Sequence, residues 1–290
     1  MMRLLETVLC AAMLPSLEAG VVVVYDSGVT ACVQAMEGLG AGLGRTPVYA
    51  VDLGAPEGPA ELARSLRAAD AGVVVAMGGR ALAEVRIYGT AAPVVGALVL
   101  ESDSAATAAH VSVEIPLAAQ LAALRQLFPQ HQRVGIIRNP ARSRYSAEQL
   151  LVRARREGFT ATVVDCNSAA GLLKAVSSLK DRVDFLLCFP DPELYNPVTV
   201  KPLVMATLEQ GLPVVGFSEA FVRAGAAAGI FPDYRAIGLR TAEVVLRLLR
   251  GGSGPRSAAC PRLQIAVNER VARLLGLDFR TMGLPVEVLR

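Results

Sequence analysis

Short apolar, β-branched runs alternate along this chain with stretches whose apolar residues recur at helical spacing, and the alternation is run twice. Val21 to Tyr25 is the first run and reads as a buried strand. Asp26-Ser27-Gly28 turns the chain at its carboxyl end, and Val29, Cys32, Val33 and Met36 give the next helix its apolar face. The run from Gly38 to Gly44 is expected to end that helix, because glycine loses the most conformational freedom on being ordered. It is not a dinucleotide fingerprint, since its glycines lack the GxGxxG spacing and follow a helix instead of a strand. Pro47 to Leu53 is a second strand, Glu61 to Ala69 a second helix, Gly72 to Ala76 a third strand and Pro93 to Val99 a fourth. Met77-Gly78-Gly79-Arg80 and Glu101-Ser102-Asp103-Ser104 are the loops at the ends of the last two strands.

The pattern restarts in mid-chain. Val134 to Arg138 is again a strand, stopped by Asn139-Pro140, because proline cannot donate to a ladder and pulls the residue before it out of helical geometry. Ala147, Leu150, Leu151 and Ala154 then form one helical face. Ser146, with Gln149 beyond it, predicts a capping box at that helix's start, and Gly158 marks its end. Strands near Thr160, Val183 and Pro213 answer those near Pro47, Gly72 and Pro93, and Ala228 to Phe231 adds a fifth. Leu117, Leu121, Leu124 and Phe128 mark a helix connecting the halves, and Ile237 to Arg250 a helix that returns to the first half. Leu263 to Val267 is a last strand, and Asn268 caps a short helix ending at Gly276.

Strands and helices alternating at this spacing predict an α/β chain of two similar, doubly wound parallel-sheet lobes joined by a hinge. The expected division is 1–19 as a leader, 20–115 with 234–262 as one lobe, and 116–233 with 263–290 as the other. Open α/β sheets hold ligands outside the carboxyl ends of their strands, so the strand-end loops are expected to face each other across a cleft. The first lobe offers Tyr25, Asp26, Ser27, Gly78, Gly79, Glu101 and Ser102. The second offers Asn139, Ser143, Tyr145, Ser146, Pro190, Asp191, Ser218, Glu219 and Asp233. Asp191 stands between two prolines at a strand end and is expected to be an exposed ligand contact, not a core residue.

Composition narrows the function classes. With 290 residues, 53% of them hydrophobic, the chain can bury two modest cores. The net charge of +3 is small, and no basic stripe interleaved with aromatics points to nucleic acid. Beyond the N-terminal segment no run reaches the roughly 18 apolar residues of a membrane span. Cys10, Cys32, Cys166, Cys188 and Cys260 lack CxxC spacing, and His110 and His131 are the sole histidines, so no metal or cofactor is expected and the cysteines read as small buried hydrophobes. Met1 to Gly20 has the outline of a secretory signal, with Arg3 as a thin basic end, Leu4 to Leu14 as the apolar run, and Leu17-Glu18-Ala19 before a cut. Glu6 interrupts that run, which leaves an N-terminal helix on a cytoplasmic protein as the alternative.

VGIIRNPARS, VDFLLCFPDPELY, the run from Gly211 to Gly251 and LQIAVNERVARLLGLDF together resemble a family of ABC-transporter substrate-binding proteins that includes tryptophan- and tyrosine-type binders. The resemblance covers about Leu117 to the end well and the first lobe in outline. The family's Asn-Pro-Ser loop is matched by Asn139-Pro140 with Ser143 displaced, and its Pro-Thr-Asp loop by Pro190-Asp191 without the threonine. Its Asp-Tyr pair is present as Asp233-Tyr234, and its Asn-x-x-x-Ala-x-x-Leu-Gly ending as Asn268, Ala272, Leu275 and Gly276. In the first lobe, Leu100-Glu101-Ser102 stands where the family has Thr-Asp-Pro, and Gly78-Gly79 where it has Gly-Thr, so an aromatic amino acid is not carried over as ligand.

The resemblance implies a periplasmic binding protein of type 1 fold, a monomer that traps a small polar solute such as an amino acid and delivers it to ABC permease subunits. Closure is expected to hinge near Pro116, Pro232 and Asn268. Main-chain amides and hydroxyls at Gly78, Gly79, Ser143 and Ser146 would hold a carboxylate, while Asp191, Glu219 or Asp233 would hold an ammonium. Tyr25, Tyr145 or Tyr195 would supply a flat wall. A sensor domain of the same fold is the alternative. A two-lobed racemase needs an acid/base cysteine from each lobe, and Cys188 has no counterpart near Val75. No helix-turn-helix pattern precedes Val21, which argues against a repressor.

Overall fold

The computed structural model describes residues 20–67, 71–100, 105, 107–253, 256–279 and 286–289, so the segment 1–19 and the loop residues Glu101 and Ser102 lie outside the described residues. The chain divides into two units, one of residues up to His110 with Gly238–Arg256, the other of Val111–Ile237 with Ser257 onward.

The first unit opens with β1 (Gly20–Tyr25), α1 (Thr30–Leu43), β2 (Val48–Asp52), α2 (Gly58–Arg67), β3 (Ala71–Met77), α3 (Gly78–Tyr88), β4 (Val94–Val99) and β5 (Ala109–Ser112). The division falls within β5 and just before β11 (Ser257–Ala258), and with β11 these strands form a sheet in the order β11-β5-β4-β3-β1-β2. Val23 lies opposite Ala50 on one side and Val75 on the other, both in parallel register. Four successive valines, Val21 to Val24, are all buried, as a parallel strand covered on both faces requires. One face packs Val22, Val24, Val51 and Val74 against Leu62, Leu66, Leu82 and Val85 of α2 and α3.

The glycine run does not end α1. The helix continues through Gly38, Gly40 and Gly42 to Leu43 and is capped by Gly44 in the left-handed region, φ 58°. Leu39 and Leu43 are buried, and the glycines permit close approach to α9 (Tyr234–Leu249). A Cβ on Gly42 would stand 2.5 Å from that of Ala242, and one on Gly238 would collide with the carbonyl of Ala35. The unfavourable propensity is outweighed by this packing.

The second unit comprises α4 (Leu117–Leu127), β6 (Arg133–Arg138), α5 (Ala147–Arg156), β7 (Thr160–Asp165), α6 (Leu172–Ser177), β8 (Phe185–Leu187), α7 (Val200–Glu209), β9 (Val214–Gly216), α8 (Glu219–Arg223), β10 (Ala228–Pro232), β12 (Leu263–Asn268), α10 (Glu269–Leu274) and β13 (Val286–Leu289). Its sheet order is β13-β12-β10-β9-β8-β6-β7. β6 to β10 pair in parallel, whereas β12 runs antiparallel to β10, with Ala228 opposite Val267. The α4 face packs as its spacing predicts, with Leu117, Leu121 and Leu124 buried beside Phe128, whose ring stacks on Phe185 at 4.6 Å. On the other face, Ile137, Leu186 and Cys188 pack with Leu172, Val176, Leu203 and Val204 of α6 and α7. The capping box of α5 is present in full: Ser146 Oγ accepts from Gln149 N at 3.1 Å, and Gln149 Oε1 accepts from Ser146 N at 3.0 Å.

Candidate functional site

In each sheet the first strand of the winding lies between the second and the third, β1 between β2 and β3, and β6 between β7 and β8. Crossovers leave such a strand in opposite directions, so the loops after β1 and β3, and those after β6 and β8, part at the carboxyl edge and open a crevice where ligands bind.

At the first of these points, Asp26 Oδ1 accepts from Gly28 N at 3.0 Å, while Oδ2 takes Arg80 Nη1 at 2.5 Å. Arg80 Nη2 also donates to Leu53 O at 3.1 Å, which ties the start of α3 to the loops of β1 and β2. Asp52 accepts from the amides of Ser27 and Gly54, each at 2.9 Å. Hydrogen bonds, from the Ser27 side chain first and then its amide, hold the Asp52 carboxyl below its ordinary range. Tyr25 is half-buried, and burial, then the charge of Asp52, pushes its phenol up. Gly78 has φ 86°, which only glycine adopts without strain, and a Cβ on Gly79 would meet nothing within 4 Å. Tyr25, Asp26, Ser27, Gly78 and Gly79 are thus adjacent on one edge, on a loop set fixed by its own hydrogen bonds.

At the second point, Asn139 is 3% exposed. Its Oδ1 accepts from Ala141 N at 3.0 Å, its carbonyl from Ser143 N at 2.8 Å, and its Nδ2 donates to Glu193 Oε2 at 3.1 Å, joining the loops of β6 and β8. Arg138 pairs with Asp165 at 2.7 Å and donates to Tyr145 O at 3.0 Å, while Ser143 Oγ donates to the same carbonyl at 2.9 Å. Arg144 forms an ion pair with Glu114, although Glu114 Oε2 lacks a well-aligned hydrogen bond. The Tyr145 ring packs on the edge of the core, with the Arg153 and Arg144 guanidinium carbons 5.2 and 5.6 Å from its centroid.

Asp191 departs from expectation. It is 8% exposed, and its Oδ1 accepts from the amides of Glu193 at 2.9 Å and Leu194 at 3.1 Å, so the carboxylate closes its own loop. Pro190 beside it is exposed. Tyr195, expected as a flat wall, is a core residue, 5% exposed, whose hydroxyl donates to Ile137 O at 3.1 Å. Ser218 caps α8, Glu219 pairs with Arg223, and Asp233 Oδ1 accepts from Ala236 N at 2.9 Å at the start of α9. No hydrogen bond or ion pair among the described residues joins these three to the loops of β6 and β8. The charged partners Asp52, Arg80, Arg138, Arg142 and Glu193 were not singled out from sequence. Their one signal was a position at or just beyond a strand end.

Among the described residues of these loops, no nucleophile is hydrogen-bonded to a histidine base. Burial pushes the Cys188 thiol up to about 12, against the lowering hydrogen bond with Tyr195, so it does not form a thiolate near neutral pH. No group of three or more His, Cys, Asp or Glu among the described residues could hold a metal, and no helix among them is long and apolar enough to cross a membrane.

A sequence model of the ABC transporter substrate binding protein family matches residues 53–277. No curated protein is significantly similar in sequence. Among solved structures, a ligand-free, open substrate binding protein with adhesive properties from Clostridium difficile is similar over 94% of this chain and 99% of its own, with 16% identity and a TM-score of 0.73. The ABC domain from Streptococcus pneumoniae in complex with L-Trp is similar over 93% of this chain and 100% of its own, at 17% identity and TM-score 0.63. A conserved domain protein from Vibrio cholerae, at 18% identity and TM-score 0.63, covers 94% of this chain and 100% of its own. These similarities extend the two-sheet α/β fold to the first unit, where the family's motifs are weakest.

Proposed function

We propose that this chain, which belongs to the family of ABC transporter substrate-binding proteins, captures a small polar solute at the carboxyl-end loops of β1 and β3 and of β6 and β8 and delivers it to permease subunits in the membrane. The observation that carries the reading is that these loops, at the switch points of both sheets, are held by hydrogen bonds of their own. Asp26, Asp52, Asn139 and Asp191 each accept from a loop amide. Loops ordered in advance lose little entropy when a solute arrives. The groups proposed for capture are Ser27 and the Gly79 backbone in the first unit, with Tyr25 next to Ser27, and Ser143 in the second. The solute is bound and released unchanged, and the protein acts as a monomer.

The proposed location is outside the cytoplasm, with residues 1–19 removed on export. Intact-mass analysis of the exported protein should show a chain beginning near Gly20, and a full-length product retained in the cytoplasm would refute this. Solute capture is tested by a thermal-shift screen of amino acids, small organic acids and nucleosides. A true solute at a hundredfold excess over its Kd should add about 2.7 kcal/mol to folding stability. Failure of every class to shift the transition would refute it.

A further inference from the structure

We propose that Arg142 gives this site a preference for solutes that present a carboxylate, an inference that rests on the placement of the solute proposed above. In both units an arginine and an aspartate meet across the switch point, but not in the same state. Arg80 is hydrogen-bonded, donating to Asp26 at 2.5 Å and to Leu53 O at 3.1 Å. Arg142, on the β6 loop, has a single ion-pair neighbour among the described residues, Asp191, with Nε 3.9 Å from Oδ1. That is beyond hydrogen-bond range, and the same Oδ1 already accepts from two loop amides.

The Arg142 side chain is 52% exposed, and its backbone is fixed, because Arg142 N donates to Asn139 O at 3.1 Å and the next amide donates to the same carbonyl. A rigid turn therefore presents a guanidinium whose planar fork is not taken up by the protein. A carboxylate matches that fork with two parallel hydrogen bonds, which an amide cannot reproduce. The same cation opposes the approach of an ammonium to Asp191, which disfavours the ammonium contact read there from sequence. Of the nearby arginines, Arg138 is hydrogen-bonded to Asp165, and Arg144 forms an ion pair with Glu114.

The test uses matched pairs of probes, succinate against succinamide and L-glutamate against L-glutamine, titrated calorimetrically into the full chain and into Arg142→Gln. In the wild type the acid of at least one pair should bind more tightly than its amide, and Arg142→Gln should weaken that acid roughly ten- to a hundredfold while leaving the amide unchanged. Equal binding of acid and amide, no binding of either acid at millimolar concentration, or an acid affinity untouched by the substitution would overturn the proposal. A neutral solute found in the wider screen would leave the capture function standing while refuting the role of Arg142. Thermal unfolding of the variant controls for misfolding, and recovery of acid binding in Arg142→Lys would mark charge as the operative property.

Discussion

Replacing Asp191 by alanine should destabilise the second unit although the residue stands in an exposed loop sequence between two prolines. Oδ1 holds the amides of Glu193 and Leu194, and the two differ in what happens when it is removed. Glu193 is exposed, so water replaces the lost acceptor at little cost. Leu194 is fully buried, and a buried donor left unsatisfied costs about 1–3 kcal/mol. The expected loss for Asp191→Ala is therefore about 2 kcal/mol, within the range known for removing a capping side chain. Asp191→Asn keeps an oxygen in the same place and should lose less than about 1 kcal/mol. Urea unfolding followed by circular dichroism measures both, and amide exchange at Leu194 reports locally. If Asp191→Ala unfolds within about 0.5 kcal/mol of wild type, the range of ordinary surface changes, then Oδ1 does not lock this loop.

Two other positions give simpler outcomes. Cys188 is 1% exposed in the core of the second unit, so Cys188→Ala should cost on the order of 1 kcal/mol by urea unfolding and leave solute affinity unchanged; a loss of affinity at unchanged stability would refute its reading as a core residue. Asp184 is subject to burial that raises its pKa, but hydrogen bonds from Arg133 and Gln132 and the charge of Arg133 outweigh it and hold the carboxyl below its ordinary value. Its contribution is thus complete above the unfolded carboxylate pKa of about 3.9 and lost as the pH falls through the lower folded value, so Asp184→Asn should flatten the acid side of the stability profile, and an unchanged acid limb would contradict the assignment.

What was legible in the sequence was local. β1 and β6 announce themselves as β-branched runs, the capping box of α5 needs only Ser146 and Gln149, and α4 needs only its own leucines. The continuation of α1 through its glycines was not legible, because it depends on Ala242 and Gly238, distant in sequence. β5, β11 and β13 are too short or too polar to show a period; β5, Ala-His-Val-Ser, is nonetheless buried throughout. At the site, sequence placed the loops at strand ends but could not assign partners. Asp26 with Arg80 and Asn139 with Glu193 are pairs made by neighbouring strands, and Asp191 turned inward because two amides of its own loop needed an acceptor.

Calorimetric titration of the solute identified by screening into the wild type and into Gly79→Leu tests the placement of the solute most directly. A Cβ at Gly79 meets no neighbour within 4 Å and the position is exposed, so the substitution should leave stability within about 0.5 kcal/mol while its larger side chain occupies the space proposed for the solute. Affinity is predicted to fall at least about tenfold, the scale on which overfilled space is penalised. Unchanged affinity in a stably folded Gly79→Leu would contradict it and move the solute away from the switch point of the first sheet.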